Sequence, residues 1–448
     1  MGSIRFDVPF AAPSIAVVSE AAGLMSDSDG QTPRTAVRTT VIDTSDHRLL
    51  RSGIVLAHHL SESVGHWSLE APTWAPRIPA HAVEPVGRAM DLPDTFGRLI
   101  RPITRGRTLG PVAVLETDRL TRALRARDGA ELACLRDDSI TIRREDGPPT
   151  RYREVVVEPT PAMTPQQLEF VITSLAAAEG SPTRSFPTLQ QRLGPPASGL
   201  TDFPAPWPLG KDATMEELVT AVFADDLREL TFAMLDLQAS PGGDAAALRH
   251  CLVRVRRHLR GLAHVLEPSW RESFEADLPT DAADPAAGSV EVGLATLDAL
   301  VGAVRAPRLG DQALEPAGQL LFRRADQAFR ILADRCDALT VDSPEGAWRA
   351  ALMAAEQLEA SADVALALPG RVTAKLARRL WSLCGELSGC IESGITPSIE
   401  GLGPDEAFEV GRAEGRAAAD RAAARRRFTK RWPEWHSDIR RLHTKAGA

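Results

Sequence analysis

The sequence predicts an α+β chain: a mainly antiparallel β part, a tunnel or barrel, at the N-terminus and an all-α helical bundle at the C-terminus. Three observations predict it. Between residues 35 and 160, short β-branched runs alternate with turn chemistry. From Gly194 to Pro208 the chain is too rich in proline for helix or central strand. From Thr214 onward, stretches of helical length and helical periodicity follow one another to the end. A chain of 448 residues also exceeds one ordinary core. The expected organisation is therefore a strand-rich domain over 1–193, a linker over 194–212 and a helical domain over 213–448.

In the first part, Ala36 to Ile42, Gly53 to Leu60, Pro111 to Glu116, Glu131 to Leu135, Ser139 to Arg143 and Arg151 to Glu158 read as strands. Turn signals such as Arg127-Asp128-Gly129 and Asp146-Gly147-Pro148-Pro149 separate them. Asp94 to Ile100 and Asp118 to Leu124 read as short helices, and Thr164 to Glu179 as a helix with Thr164 as cap and Pro165 in its first turn.

In the second part, helices are expected over Met215 to Gln238, Ala245 to Leu266, Val290 to Ala306, Pro316 to Ala338, Pro344 to Ala367, Thr373 to Ile391 and Pro404 to Phe428. The second of these stands out. It has no acidic residue but carries Arg249, His250, Arg254, Arg256, Arg257, His258, Arg260 and His264. Leu252, Val255, Leu259, Leu262 and Leu266 form a narrow apolar stripe, so the cations cover most of the remaining circumference. Guanidinium groups make forked bonds to phosphate oxygens and stay charged at all relevant pH. The segment thus reads as a docking surface for a polyanion. Arg412, Arg416, Arg421, Arg425, Arg426 and Arg427 mark a second basic helix, and the pair hints at a duplication. Trp432 and Trp435 are expected to pack the C-terminal tail against the bundle.

Composition excludes several classes. The net charge is −8, and no whole domain is basic, which argues against sequence-specific nucleic-acid binding. No apolar run approaches membrane-spanning length, and no secretory signal pattern is present, so no membrane partner is expected. Cys134, Cys251, Cys336, Cys384 and Cys390 are scattered without a CxxC pair, which reads as reduced thiols and a cytoplasmic location. GxxxxGK[ST], GxSxG and HExxH are absent. His58 and His59 alternate across a strand and read as ordinary surface or core histidines.

Ile42-Asp43-Thr44-Ser45-Asp46-His47-Arg48-Leu49-Leu50-Arg51-Ser52-Gly53-Ile54 resembles a sequence block of CYTH domains, the triphosphate tunnel fold. His66 to Pro72, Thr104 to Arg107, Asp137-Asp138 and Arg153 to Glu158 follow in that family's order. The helical half resembles a CHAD domain: His250, Arg257 and Arg260 fall on its hallmark helix, Glu267 to Trp270 and Val301 to Arg305 follow, Asp342-Ser343-Pro344 looks like its second-half "DSP" segment, and Arg412 and Arg416 fall on its second basic helix. The resemblance implies inorganic polyphosphate, or a similar polyanion, as partner. The implied binding set is Arg249, His250, Arg254, Arg256, Arg257, Arg260 and His264, with Arg305, Arg412, Arg416 and Arg421. Arg5, Arg48, Arg51, Arg105, Arg107, Arg119 and Arg153 would line a residual anion-binding tunnel.

The tunnel chemistry departs from the family. Its ExExK glutamates fall on Met1 and Ser3 and its lysine on Arg5, while Val156 interrupts Glu154 and Glu158 on the last strand. A divalent cation needs more oxygens than that, so no catalytic residue and no cofactor is expected. The expected function is non-catalytic polyanion binding beside a degenerate tunnel. One alternative is a magnesium- or manganese-dependent triphosphatase, or an adenylate-cyclase-like activity, with Glu154 and Glu158 as metal ligands. The other is a protein-interaction scaffold. In the binding reading, charge reversal at Arg257 and Arg260 weakens binding without unfolding the domain.

Overall fold

The computed structural model describes residues 2–26, 34–62, 64–85, 91–144, 147–240, 244–280, 288–392 and 403–446. Contacts divide the chain into two units, Met1–Asp202 with Gln238–Pro241, and Phe203–Leu237 with Gly242–Ala448.

The first unit is built on a ten-stranded antiparallel sheet. Its strands are β1 (Ile4–Val8), β2 (Met25–Ser26), β3 (Arg34–Asp43), β4 (Val55–Ser61), β5 (Val64–Glu70), β6 (His81–Pro85), β7 (Gly110–Arg125), β8 (Glu131–Arg143), β9 (Thr150–Pro159) and β10 (Ser181–Thr183). Nine of them run in the order β10-β1-β9-β8-β7-β3-β4-β5-β6, and β2 pairs with β7. Period-2 alternation gives the sheet two different faces. Phe6, Val8, Leu135, Val155 and Val157 pack on Val171 and Leu175 of α3 (Pro165–Ala177). The opposite face carries Val41, Ala113, Ile140 and Ile142, covered by Leu193 of α4 (Leu189–Leu193) and by Ala197.

Two short helices complete this unit. Asp43 begins α1 (Arg48–Arg51) by accepting the backbone N–H groups of Thr44, Leu49 and Leu50 at 2.6, 2.9 and 2.9 Å. Burial nevertheless pushes its carboxyl above the ordinary value. α2 spans Asp94–Thr104. The expected helix over Asp118 to Leu124 is strand: it is the second half of β7, paired with both β3 and β8. Leu120 and Leu124 sit four apart, a spacing that fits a helix face and a strand face alike, and the two neighbouring strands decide it.

The segment expected as a linker is packed rather than free. Ala197 is buried, and Asp202 is buried between Arg51 at 2.9 Å and Arg105 at 2.6 Å. Phe203 and Leu209 pack on the helical core of the second unit.

The second unit is helical: α5 (Met215–Ala239), α6 (Ala246–Gly261), α7 (Pro268–Ala276), α8 (Val290–Arg305), α9 (Ala317–Asp337), α10 (Glu345–Val364), α11 (Arg371–Ser388) and α12 (Pro404–Ala446). It holds two cores. One gathers Leu218, Phe223, Leu230, Leu252, Leu259, Leu297 and Leu320. The other gathers Leu332, Trp348, Leu358, Leu383, Phe428, Trp432, Trp435 and Ile439. The tail tryptophans are thus inside the second core, and α12 continues through Pro433 to Ala446 instead of ending at Phe428. α6 and α10 approach closely: a Cβ added to Gly261 would lie 2.5 Å from the Ala360 carbonyl oxygen. No helix among the described residues is long and apolar enough to cross a membrane.

Candidate functional site

The cations of α6 do not form the unopposed surface that the sequence suggests. Carboxylates arrive from three other helices. Arg254 donates from Nε to Asp226 of α5 at 2.9 Å, and the Asp226 side chain is fully buried. His258 Nδ1 meets the other oxygen of Asp226 at 2.7 Å, and its Nε2 lies 3.5 Å from Asp363 of α10. Although burial opposes it, the charges and hydrogen bonds of Asp226 and Asp363 raise the His258 pKa to about 9. This histidine is therefore cationic at neutral pH. Arg257 lies 3.6 Å from Glu359 and 3.5 Å from Asp363. Three cations and three carboxylates thus form one balanced, partly buried network across α5, α6 and α10, with Asp226 fully buried at its centre.

The remaining α6 positions are also largely engaged. Arg256 donates to the carbonyls of Glu275 at 2.8 Å and Leu278 at 2.7 Å, which satisfies the C-terminal end of α7. Arg249 pairs with Asp244 at 2.6 Å. Arg260 is 45 % exposed and meets Glu275 only at 3.6 Å. His250 is exposed. His264 lies beyond the helix, which ends at Gly261 rather than Leu266, and burial together with Arg324 and Arg271 lowers its pKa. It adds no charge at neutral pH. Arg305 is exposed at the end of α8.

Arg256, Arg257 and Arg260 do line one cavity of about 840 Å³ between α6, α7, α10 and α11. Arg271, which the sequence reading missed, joins them, and so do Glu275, Glu356 and Glu359. The second basic helix is not part of this lining.

On α12 the balance is different. Arg412 pairs with Glu409 at 2.6 Å, Arg421 stands 3.8 Å from Glu392, and Arg425 pairs with Glu345. Arg416, Arg426, Arg427 and Lys430 are exposed and make no ion pair with a carboxylate among the described residues. At 3.6 residues per turn these four fall within an arc of about 100° over about 21 Å of helix. Lys430 lies just past the expected helix end, so the sequence reading did not include it.

The seven arginines expected in the tunnel are not brought together. Arg48, Arg51 and Arg105 belong to α1 and the end of α2. Arg48 pairs with Asp46 at 2.9 Å, while Arg51 and Arg105 share Asp202. Arg107 is exposed beyond α2. Arg153 forms a buried two-bond pair with Asp137, at 2.7 and 2.6 Å, on the sheet face that α3 covers. Arg5 donates to the Arg184 carbonyl at 3.4 Å. Only Arg119 and Arg5 lie on the other face, where Arg119 holds Asp138 through 2.8 and 3.0 Å bonds. Arg119 and Arg153 point to opposite faces of the sheet, and Arg48, Arg51 and Arg105 are taken up by Asp46 and Asp202, so the seven do not converge on one channel.

Asp7, Glu154 and Asp138 are register partners across β1, β9 and β8, so three carboxylates share a row. Burial and the Asp138 and Asp7 charges push the Glu154 carboxyl up, although Arg192 of α4 binds it at 2.6 Å. The Arg192 guanidinium also lies 3.5 Å over the Tyr152 ring. Glu158 is exposed four residues further along the strand, about 13 Å away at strand rise. The magnesium or manganese ion implied by the resemblance does not fit this arrangement. Glu154 is held by Arg192 and Asp138 by Arg119 and Arg136, and Glu158 is out of reach. Among the described residues no group of three His, Cys, Asp or Glu side chains is arranged to hold a metal.

His58 stacks edge-on against Trp67. His59 is bonded to Thr39 at 2.9 Å and Ser68 at 2.8 Å, and burial lowers its pKa to about 4.

The sequence matches no family model and no curated protein. Among solved structures, the chain is similar to a candidate adenylate cyclase from Bacillus halodurans, with 16% identity over 43% of this chain and 98% of that one, at a TM-score of 0.24. It is also similar to a protein from Pyrococcus horikoshii, with 8% identity over 42% of this chain and 92% of that one, at a TM-score of 0.21.

Proposed function

We propose that the chain binds inorganic polyphosphate or another polyanion without catalysis, on the exposed cationic face of α12. The observation that carries this reading is the set of four exposed cations, Arg416, Arg426, Arg427 and Lys430, that make no ion pair with a carboxylate among the described residues. A linear polyanion offers closely spaced charges with no edges to read, and cations spread along one helix face suit it. Arg412 lies on the same face and can join once its exposed partner Glu409 is displaced. The α6 cations are a poorer site, because a polyanion there must displace buried carboxylates from Arg254, Arg257 and His258. This keeps the partner implied by the CHAD-like sequence and moves the contact from the first basic helix to the second.

The test is long-chain polyphosphate binding to the full chain over a salt series. Neutralising Z phosphates lowers log K by about 0.7 to 0.9 Z per log unit of salt, so four contacts predict a slope of about −3. A slope near zero, or no binding at low salt, overturns the reading.

A further inference from the structure

The cavity beside α6 has a composition unlike a polyanion site. Trp381 of α11 is 67 % exposed and Met353 of α10 is 62 % exposed, and both line it. Large apolar side chains held this far into water form a contact surface for an apolar body. Charge gives the second half of the recognition. Arg257 and Glu359 also line the cavity, but they face each other at 3.6 Å within the balanced network that includes Asp363. The other charged groups of the lining are Arg256, Arg260 and Arg271 with Glu275 and Glu356; Arg271 is taken up by Glu275 at 2.6 Å and by Glu272 at 3.0 Å, and Arg256 by two backbone carbonyls, which leaves Arg260 as the cation turned to a ligand. Arg260 is the least engaged of the three: 45 % exposed, with no contact closer than 3.6 Å to Glu275. A second negative charge on a ligand would meet Glu275 and Glu356 without a cation to offset it. The volume of about 840 Å³ falls in the range, roughly 300–1,000 Å³, of small-molecule pockets.

We propose that this cavity binds a small monoanion with a flat apolar body, an aromatic carboxylate or sulfonate, whose ring rests on Trp381 and Met353 and whose anionic group meets Arg260. It is separate from the polyanion face on α12 and does not depend on it. The test is titration of the full chain with anilinonaphthalene sulfonate, beside naphthylmethylammonium as the cationic counterpart and inorganic triphosphate as competitor. One saturable site is expected. Trp381→Ala and Arg260→Gln should each weaken it by about tenfold or more, since each removes one half of the recognition. Trp207→Phe, at a half-exposed tryptophan lining a different cavity, should leave it unchanged. Triphosphate should not displace the probe. Absence of saturable binding, equal binding in either cavity variant, equal binding of the cation, or displacement by triphosphate each overturns the proposal. None of these outcomes bears on polyphosphate binding by α12, which Trp381→Ala should leave intact.

Discussion

His258 should make the helical unit lose stability as pH rises above neutrality, and Gln in its place should remove that dependence. In the folded protein its pKa is about 9 against an ordinary 6.5. The difference corresponds to about 3 kcal/mol of preferential stabilisation of the protonated form. The sign follows from the raised value. The stabilisation is fully present below about pH 6.5 and is lost as pH climbs through about 9. The groups facing the ring are Asp226 of α5, Asp363 and Glu359 of α10, and Arg254 and Arg257 of its own helix. Burial also raises the Cys251 and Cys384 thiols, to about 11 and, for Cys384, beyond the ordinary range, so their titration adds a fall of its own at high pH. The readout is therefore the difference between wild type and His258→Gln in urea unfolding, followed by helical circular dichroism from pH 6 to 10. That difference should shrink from about 3 kcal/mol toward zero across the interval. A constant difference would refute the assignment of His258 as a buried cation.

Three further outcomes follow from the packing. Arg257→Glu should destabilise the helical unit by about 3–5 kcal/mol, because it sets a third carboxylate against Glu359 and Asp363, whereas Arg260→Glu should cost under about 1 kcal/mol; urea midpoints of the two variants check this and reverse the equivalence that the sequence suggests. Arg153→Met should lower the stability of the strand-rich unit by about 3–5 kcal/mol by leaving Asp137 buried and unpaired, and Asp137→Leu in the same chain should restore most of it; thermal unfolding of single and double variants separates the two. Gly261→Ala should cost about 1–3 kcal/mol, since its Cβ would press on the Ala360 carbonyl at 2.5 Å, and an unchanged melting temperature would mean that α6 and α10 are not packed this closely.

Local signals were legible where the answer is local. Thr164 and Gln167 form the capping box that begins α3, with Pro165 in its first turn. Within the proline-rich segment, Asp202 is clamped by Arg51 and Arg105, both distant in sequence. What failed depends on residues distant in sequence. The stretch from Ala245 to Leu266 has no acid of its own, yet Asp226, Glu275, Glu359 and Asp363 come from other helices to neutralise it. No periodicity within α6 reports that. Acidic residues are interspersed among the α12 cations. On the helix surface Arg416, Arg426, Arg427 and Lys430 share one face and make no ion pair with these acids among the described residues. The expected end at Phe428 is passed because Trp432, Trp435 and Ile439 bury on both sides of Pro433 and carry the helix through.

The most direct measurement compares polyphosphate affinity at low salt for Arg426→Glu with Arg427→Glu in one chain and for Arg249→Glu with Arg260→Glu in another. Both pairs are surface-accessible cations, one on each basic helix. A loss of about tenfold or more is expected in the α12 variant, with the salt slope reduced by about two, and little change in the α6 variant. The reverse pattern would return the site to α6 and contradict the claim that carboxylates from α5, α7 and α10 have already neutralised it.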